Sequence, residues 1–169
     1  ISEVFMQSDD AISMLMTMAS MQEEHNVQVH PQWKEQGYEY YRAIWVECAE
    51  MLDHFGWKWW KNQEPDIDRV KLELVDIWHF ALSELIRSEQ LHESLGAELA
   101  NVEPIDSTPE IFREAIESLA ISSLQSRSFK MSDFTNAMRT LPMDLKELFA
   151  LYVGKIVLNR FRQDHGYKE

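Results

Sequence analysis

The sequence predicts an all-α fold, a helical bundle, on three observations. Apolar residues recur at three- and four-residue spacing through most of the 169 residues, which is the period of one helix face. No stretch alternates apolar and polar residues as a half-buried strand does. Gly and Pro, five of each, punctuate the chain rather than fill it.

The elements follow in order. Met14, Leu15, Met18 and Met21 set an amphipathic helix over residues 9–25, and His30-Pro31 to Gly37 reads as a connection. Tyr38 to Phe55 forms a second helix, ended by Gly56, a residue that tolerates the backbone of a helix terminus. Trp57-Lys58-Trp59-Trp60-Lys61 follows as a turn or short irregular element. Three indoles are poorly accommodated in water, so some are expected to anchor the core, while one can offer a flat wall to a base. Pro65, Asp66 and Asp68 mark the start of a long helix running to about Arg87, because Pro and acids suit a helix N-terminus. Helical character resumes from Ser88 to Asn101, after a break. Asp106-Ser107-Thr108-Pro109-Glu110 is a helix start for Ile111 to Leu124. Ser126 to Ser132 is a loop, Met131-Ser132-Asp133 caps one more short helix, and Pro142 opens the last long helix, which runs to about Gln163 before Gly166.

Residues 1–169 fit a single domain large enough to bury a core. Six Trp and nine Met make that core aromatic and adaptable, and helices apolar on more than one side lead to the expectation of a helical homodimer. No apolar run reaches the roughly 20 residues that cross a bilayer, and no signal-peptide pattern opens the chain. One cysteine, Cys48, rules out an internal disulfide framework, so a reducing cytoplasm is the expected location. Cys48 itself reads as a packed helix residue. The net charge of −13 repels a nucleic-acid backbone, yet it leaves room for a small phosphate ligand if metal ions and a few cations invert the local field.

Two acidic pairs carry the chemistry. Glu47-Cys48-Ala49-Glu50 and Glu73-Leu74-Val75-Asp76 each hold two acids three residues apart within apolar helix. Each pair therefore points one way, and two antiparallel helices can gather four carboxylates at one point. Such a cluster needs cations, and oxygen-only ligands favour Mg²⁺ or Mn²⁺, which commonly await a substrate phosphate. Acidic pairs at this spacing also occur on solvated faces. Here the flanking Met51, Leu52, Phe55, Ile77, Trp78 and Ala81 favour an enclosed site, with Arg42 and Lys71 only at its margins.

Other residues fit a phosphate ligand less distinctively. Lys155, Asn159 and Arg162 share a face of the last helix, apart from the apolar set Leu148, Tyr152, Ile156 and Phe161. They can grip a polyphosphate or simply complement the helix dipole in solvent. Gln22 and Asn26 share a face of the first helix; their amides offer donors and acceptors to a pyrimidine edge, or are solvated. His25, His30, His54, His92 and His165 support no metal assignment and read as surface or packing residues.

Taken together these residues resemble the dimeric all-α dUTPases, relatives of the MazG-type nucleotide pyrophosphatases. The matching segments are Met21-Gln22 to Asn26; Glu47-Cys48-Ala49-Glu50 with Trp57-Lys58-Trp59-Trp60-Lys61; Glu73-Leu74-Val75-Asp76-Ile77-Trp78-His79-Phe80; and Gly154-Lys155 through Asn159-Arg160-Phe161-Arg162-Gln163 to Gly166-Tyr167-Lys168. The acidic pairs fit any MazG-like protein, whereas the Trp-rich turn and the terminal segment are more specific. Family members commonly continue beyond the Gly-Tyr-Lys segment, and Ser88 to Met131 carries no matching motif.

The resemblance implies hydrolysis of dUTP, and of dUDP, to dUMP, which limits uracil incorporation into DNA. It assigns Glu47, Glu50, Glu73 and Asp76 to two or more Mg²⁺ ions (Mn²⁺ can substitute), with Glu47 or Glu50 as the base for the attacking water and Glu47 favoured. Gln22, Asn26 and Trp60 are implied around uracil, and His79 and Phe80 near the deoxyribose. Lys155, Asn159, Arg162, Tyr167 and Lys168 would meet sugar and phosphates, with Lys58 and Lys61 as phosphate helpers. An apolar contact from Phe80 against the 2′ carbon would reject UTP. Two other readings remain: the same chemistry on another nucleotide, such as dCTP or a non-canonical triphosphate, and a non-catalytic acidic helical dimer.

Overall fold

The computed structural model describes residues 2–166, with side chains from residue 9 onward; these residues are helical with no strand, as the apolar spacing predicts. Helix α1 (Ser2–Val29) leads through a 3-10 turn at Trp33–Glu35 to α2 (Tyr40–Phe55) and α3 (Ile67–Arg87). Then come α4 (Ser94–Ala100), α5 (Pro109–Ser126), α6 (Met131–Thr140) and α7 (Leu145–Asp164). No helix among the described residues is long and apolar enough to cross a membrane.

Helix α3 is the hub. It packs against α1, α2 and α7, and its buried residues, from Val70 to Leu85, leave few positions facing solvent. On one side Trp78 stacks on Phe134 of α6 at 5.0 Å between ring centroids, and its indole N–H points at Met18 Sδ, 3.3 Å away. That packing holds α3 in place while Glu73, Asp76, His79, Phe80 and Ser83 are presented toward α1, α2 and α7.

Capping side chains fix where several helices begin. Asp66, Thr108 and Asp144 each accept a hydrogen bond from the backbone N–H three residues on, at 3.3, 3.2 and 2.9 Å. This satisfies an N–H that the helix itself leaves unpaired. The Asp144 cap also corrects the expected start of the last helix: Pro142 lies in the preceding connection and the helix begins at Leu145. Helix α1 runs beyond residues 9–25 at both ends, and the 88–101 stretch is helical only from Ser94. Glu89 interrupts it with a φ of 59°, a conformation that ends α-helix.

The Trp-rich turn departs most from expectation. Trp57, Trp59 and Trp60 are all exposed, at 40%, 86% and 59%, so none is a core anchor; Trp33 and Trp78 fill that role. Polar contacts hold the turn instead. Gln63 Oε1 accepts from the backbone N–H groups of Trp57 and Lys58, the Arg113 guanidinium clasps the Gly56 carbonyl, and the Trp57 indole donates to Asp53. The indoles then pack edge to face on one another, Trp57 and Trp59 both against Trp60.

Helices α1 and α4 meet at Gly96, where an added Cβ would lie 2.8 Å from Ile12 Cγ1 and 3.0 Å from Ile12 Cα. The side chain can turn aside, but the backbone cannot. Gly96→Ala should therefore lower stability by about 1–3 kcal/mol, outweighing the roughly 1 kcal/mol of helix propensity that Ala brings. A urea midpoint unchanged from that of the unsubstituted chain would show that α1 has room to shift.

Candidate active site

Helices α2 and α3 bring the two acidic pairs together in antiparallel order: His54 meets Glu73, Glu50 acts on Glu73, and Glu47 acts on Asp76. Burial, followed by the charges of Asp76 and Glu50, pushes the Glu47 carboxyl up to about 8. Burial also raises Glu73, against the opposing effect of His54. Glu47 Oε2 and Glu73 Oε2 are buried with no hydrogen-bond partner, a costly placement for a carboxylate oxygen.

The acids are not wholly without nearby partners, contrary to the sequence reading. Glu73 Oε1 touches His54 Nδ1, and Lys155 Nζ lies 3.4 Å from Asp76 Oδ1. Among the described residues no group of three or more His, Cys, Asp or Glu side chains is gathered closely enough to hold a metal ion as it stands. Like charges hold one another apart unless a cation lies between them. The donor set, all carboxylate oxygen with two orphaned atoms, has the chemistry that suits a hard divalent cation. Glu47, Glu50, Glu73 and Asp76 are the residues that can hold one.

Beside the acids lies a cavity of about 230 Å³, walled by Gln22, His25, Asn26, Tyr38, Tyr40 and Phe80 among others. A hydrogen-bond chain orients its polar wall. Ser83 Oγ donates to the His79 carbonyl at 3.0 Å and so accepts from Asn26 Nδ2 at 2.9 Å. Asn26 Oδ1 then accepts from Gln22 Nε2, and Gln22 Oε1 accepts from the Tyr152 hydroxyl and from His79 Nδ1. Burial pushes the His79 imidazole down to about 3, so the ring is neutral and its proton sits on Nδ1. His79 Nε2 is left as a buried acceptor without a partner. Asn26 retains one N–H and one lone pair, and Gln22 one N–H.

A second cavity, about 300 Å³, is lined by Glu47, Lys155, Arg162 and Gln163. His25, Asp76, Phe80 and Asn159 line both cavities, which therefore adjoin. Helix α7 is fastened across this trough by Lys71–Glu147 at 2.6 Å, Arg160–Glu24 at 2.9 Å and the Tyr152 bonds to α1. The expected cationic face of Lys155, Asn159 and Arg162 thus looks onto the acids rather than open solvent. Phe161, grouped with the apolar face from its spacing, is 54% exposed and stacks on His165 instead.

Trp60 and Lys61 sit on the exposed 57–61 turn and form no part of either cavity wall. Lys58 lies over the Trp57 ring. Tyr167 and Lys168 fall outside the described residues. Cys48 is buried, and burial pushes its thiol up to about 12, so it is a packing residue. Side chains at the site that escaped the sequence reading include His25, Tyr38, Tyr40, His54, Ser83 and Tyr152. His25 lies one helical turn from Gln22, and Ser83 one turn from His79, which is the local signal that was there to find.

A protein-family model described as dUTPase matches residues 14–167. The match runs through residues 88–131, where no motif was recognised. No curated protein matches the sequence. Because the family match spans nearly the whole chain, the chain belongs to the dUTPase family, the all-α dUTP diphosphatases, which hydrolyse dUTP.

Proposed function

We propose that this chain converts dUTP, and dUDP with it, to dUMP in a reaction dependent on Mg²⁺ held by Glu47, Glu50, Glu73 and Asp76. The observation that carries this reading is that the amide-lined cavity adjoins the one lined by Glu47 and Asp76, with His25, Asp76, Phe80 and Asn159 shared between them. A base in the first cavity places its phosphates in the second.

When bound, the divalent ions neutralise phosphate charge and acidify a water. Glu47, which lines the trough, takes the proton from the water that attacks phosphorus in line. Lys155 and Arg162 stabilise the charge that develops on the departing phosphate or pyrophosphate. No covalent enzyme intermediate is required. Uracil presents an acceptor, a donor and an acceptor along its edge. The remaining N–H groups of Gln22 and Asn26, with the Asn26 lone pair or His79 Nε2 between them, form the complementary set. Cytosine reverses two of these three positions. Phe80, at the junction of the cavities, lies where a 2′-hydroxyl would be pressed against an apolar ring. Trp60 and Lys61 have to be drawn in from the exposed turn to serve as wall and phosphate contact. The exposed Val157, Leu158 and Phe161 on α7 support assembly as a homodimer.

Product release from dUTP, dUDP, dCTP, dTTP and UTP, each with Mg²⁺ and with Mn²⁺, tests the proposal. Turnover of dUTP and dUDP at least about 100-fold above dCTP is expected, since a site built for one hydrogen-bond pattern strongly rejects its mismatch. Equal turnover of dCTP would move the assignment to another nucleotide. Full activity in chelator would remove the metal.

A further inference from the structure

We propose that His54 is a positioning residue that sets the orientation of the Glu73 carboxylate, and through it the affinity of the acid cluster for divalent cations. The inference rests on the proposed four-carboxylate metal reading and assigns a role to a residue outside that set.

His54 occupies the last turn of α2, seven residues beyond Glu47 and four beyond Glu50. It therefore shares their helix face. Its Nδ1 touches Glu73 Oε1, in a pair whose side chains are 30% and 8% exposed. The other oxygen, Glu73 Oε2, is buried without a partner. A glutamate has three side-chain torsions, and a buried one is free to point either oxygen wherever space allows. A ring nitrogen held against Oε1 restricts that freedom and leaves Oε2 for the cluster, although the contact is an ion-pair approach and not an aligned hydrogen bond. Partners of this kind hold metal-binding carboxylates in ligating orientation elsewhere.

The backbone that carries the imidazole is placed independently of the acids. The His54 carbonyl accepts from the Asp66 backbone N–H at 2.9 Å, which ties the end of α2 to the start of α3. Two residues on, Gly56 closes the helix through its N–H to the Leu52 carbonyl at 2.8 Å, with a φ of 103°. Arg113 in turn clasps the Gly56 carbonyl from α5. The backbone that carries His54 is thus held by three elements before Glu73 is considered. The imidazole also belongs to the helix that supplies Glu47 and Glu50, so one rigid segment sets the positions of three of the four acids.

The test is Mn²⁺ binding to the full chain without nucleotide, read from the free-ion signal in electron paramagnetic resonance. Variants His54→Ala and His54→Asn are compared with the unsubstituted protein, each checked by its melting curve. Loss of the ring nitrogen should weaken Mn²⁺ binding by about 10- to 100-fold. Asn, whose amide nitrogen can occupy the place of Nδ1, should recover most of it. In parallel, the Mg²⁺ concentration giving half-maximal dUTP turnover should rise for His54→Ala and return toward the original value for His54→Asn. Equal Mn²⁺ affinity in His54→Ala and the unsubstituted protein would overturn the role of His54 while leaving the metal reading intact. Weak binding in both folded variants would also overturn it, because the contact on Oε1 would then not be what matters. An unsubstituted protein that takes up no Mn²⁺ would overturn the four-acid reading and the role of His54 together.

Discussion

Glu47→Gln is expected to lower Mg²⁺-dependent dUTP turnover by about 10³-fold, within the range a general base contributes, while making the protein more resistant to heat at alkaline pH in chelator. The second half follows from the sign of the shift. Burial, with Asp76 and Glu50 adding their charges, raises the Glu47 carboxyl from 4.5 to about 8 in the folded chain. The fold therefore favours the protonated form. Its contribution is fully present below the unfolded value near 4.5 and is lost progressively as pH rises through about 8. Glutamine cannot ionise, so the variant escapes that loss. Melting curves in chelator should nearly coincide at pH 5 and separate at pH 8, with Glu47→Gln the higher. An acid that merely braced the fold would show the opposite order. Unimpaired turnover in the variant would remove Glu47 from the chemistry altogether.

The parts of this site that were legible in the sequence share one property: they repeat along a single helix. Glu47 with Glu50, Glu73 with Asp76, and Lys155 with Asn159 and Arg162 are each spaced to fall on one face, so a 3.6-residue period suffices to group them. The all-α class and the ends of α2 and α5 were readable for the same reason, through apolar spacing, Gly56 and the Thr108–Pro109 start.

What escaped is lateral. Tyr152 reaches Gln22 across 130 residues of chain, Ser83 reaches Asn26 across 57, and His54 reaches Glu73 from the neighbouring helix. No local period encodes such meetings; they depend on which ridges of α1, α3 and α7 settle into which grooves. The Trp-rich turn was misjudged for a related reason. Indoles are usually buried when a hydrophobic surface is available, but here Gln63, Arg113 and Asp53 fix the turn from the polar side and leave the rings outside. Those contacts reach forward along the chain as well as back to α2, and no local pattern announces them.

Asn26→Ala should collapse the preference for dUTP over dCTP, lowering kcat/KM for dUTP by about 10²–10³-fold while changing the slow turnover of dCTP little. Asn26 is the last amide in a chain whose direction is set at its far end. Ser83 donates to a main-chain carbonyl, which can only accept, so Ser83 must accept from Asn26; the Asn26 oxygen must then face Gln22. The one N–H and one lone pair left on Asn26 cannot exchange places without breaking every bond in that sequence. Such a side chain meets uracil with a donor and an acceptor already in register and meets cytosine with at least one like pair opposed. Tyr152→Phe supplies a graded control. It removes from Gln22 Oε1 an O–H that is shared with the Met18 carbonyl but leaves the bond from His79 Nδ1 at 2.7 Å, so the chain keeps its direction and loses only part of its stiffness. The dUTP-to-dCTP ratio in Tyr152→Phe should accordingly fall less than in Asn26→Ala, by about 10-fold for the loss of one hydrogen bond. Steady-state rates on the two nucleotides decide the matter: an undiminished ratio in Asn26→Ala would place base selection elsewhere in the trough.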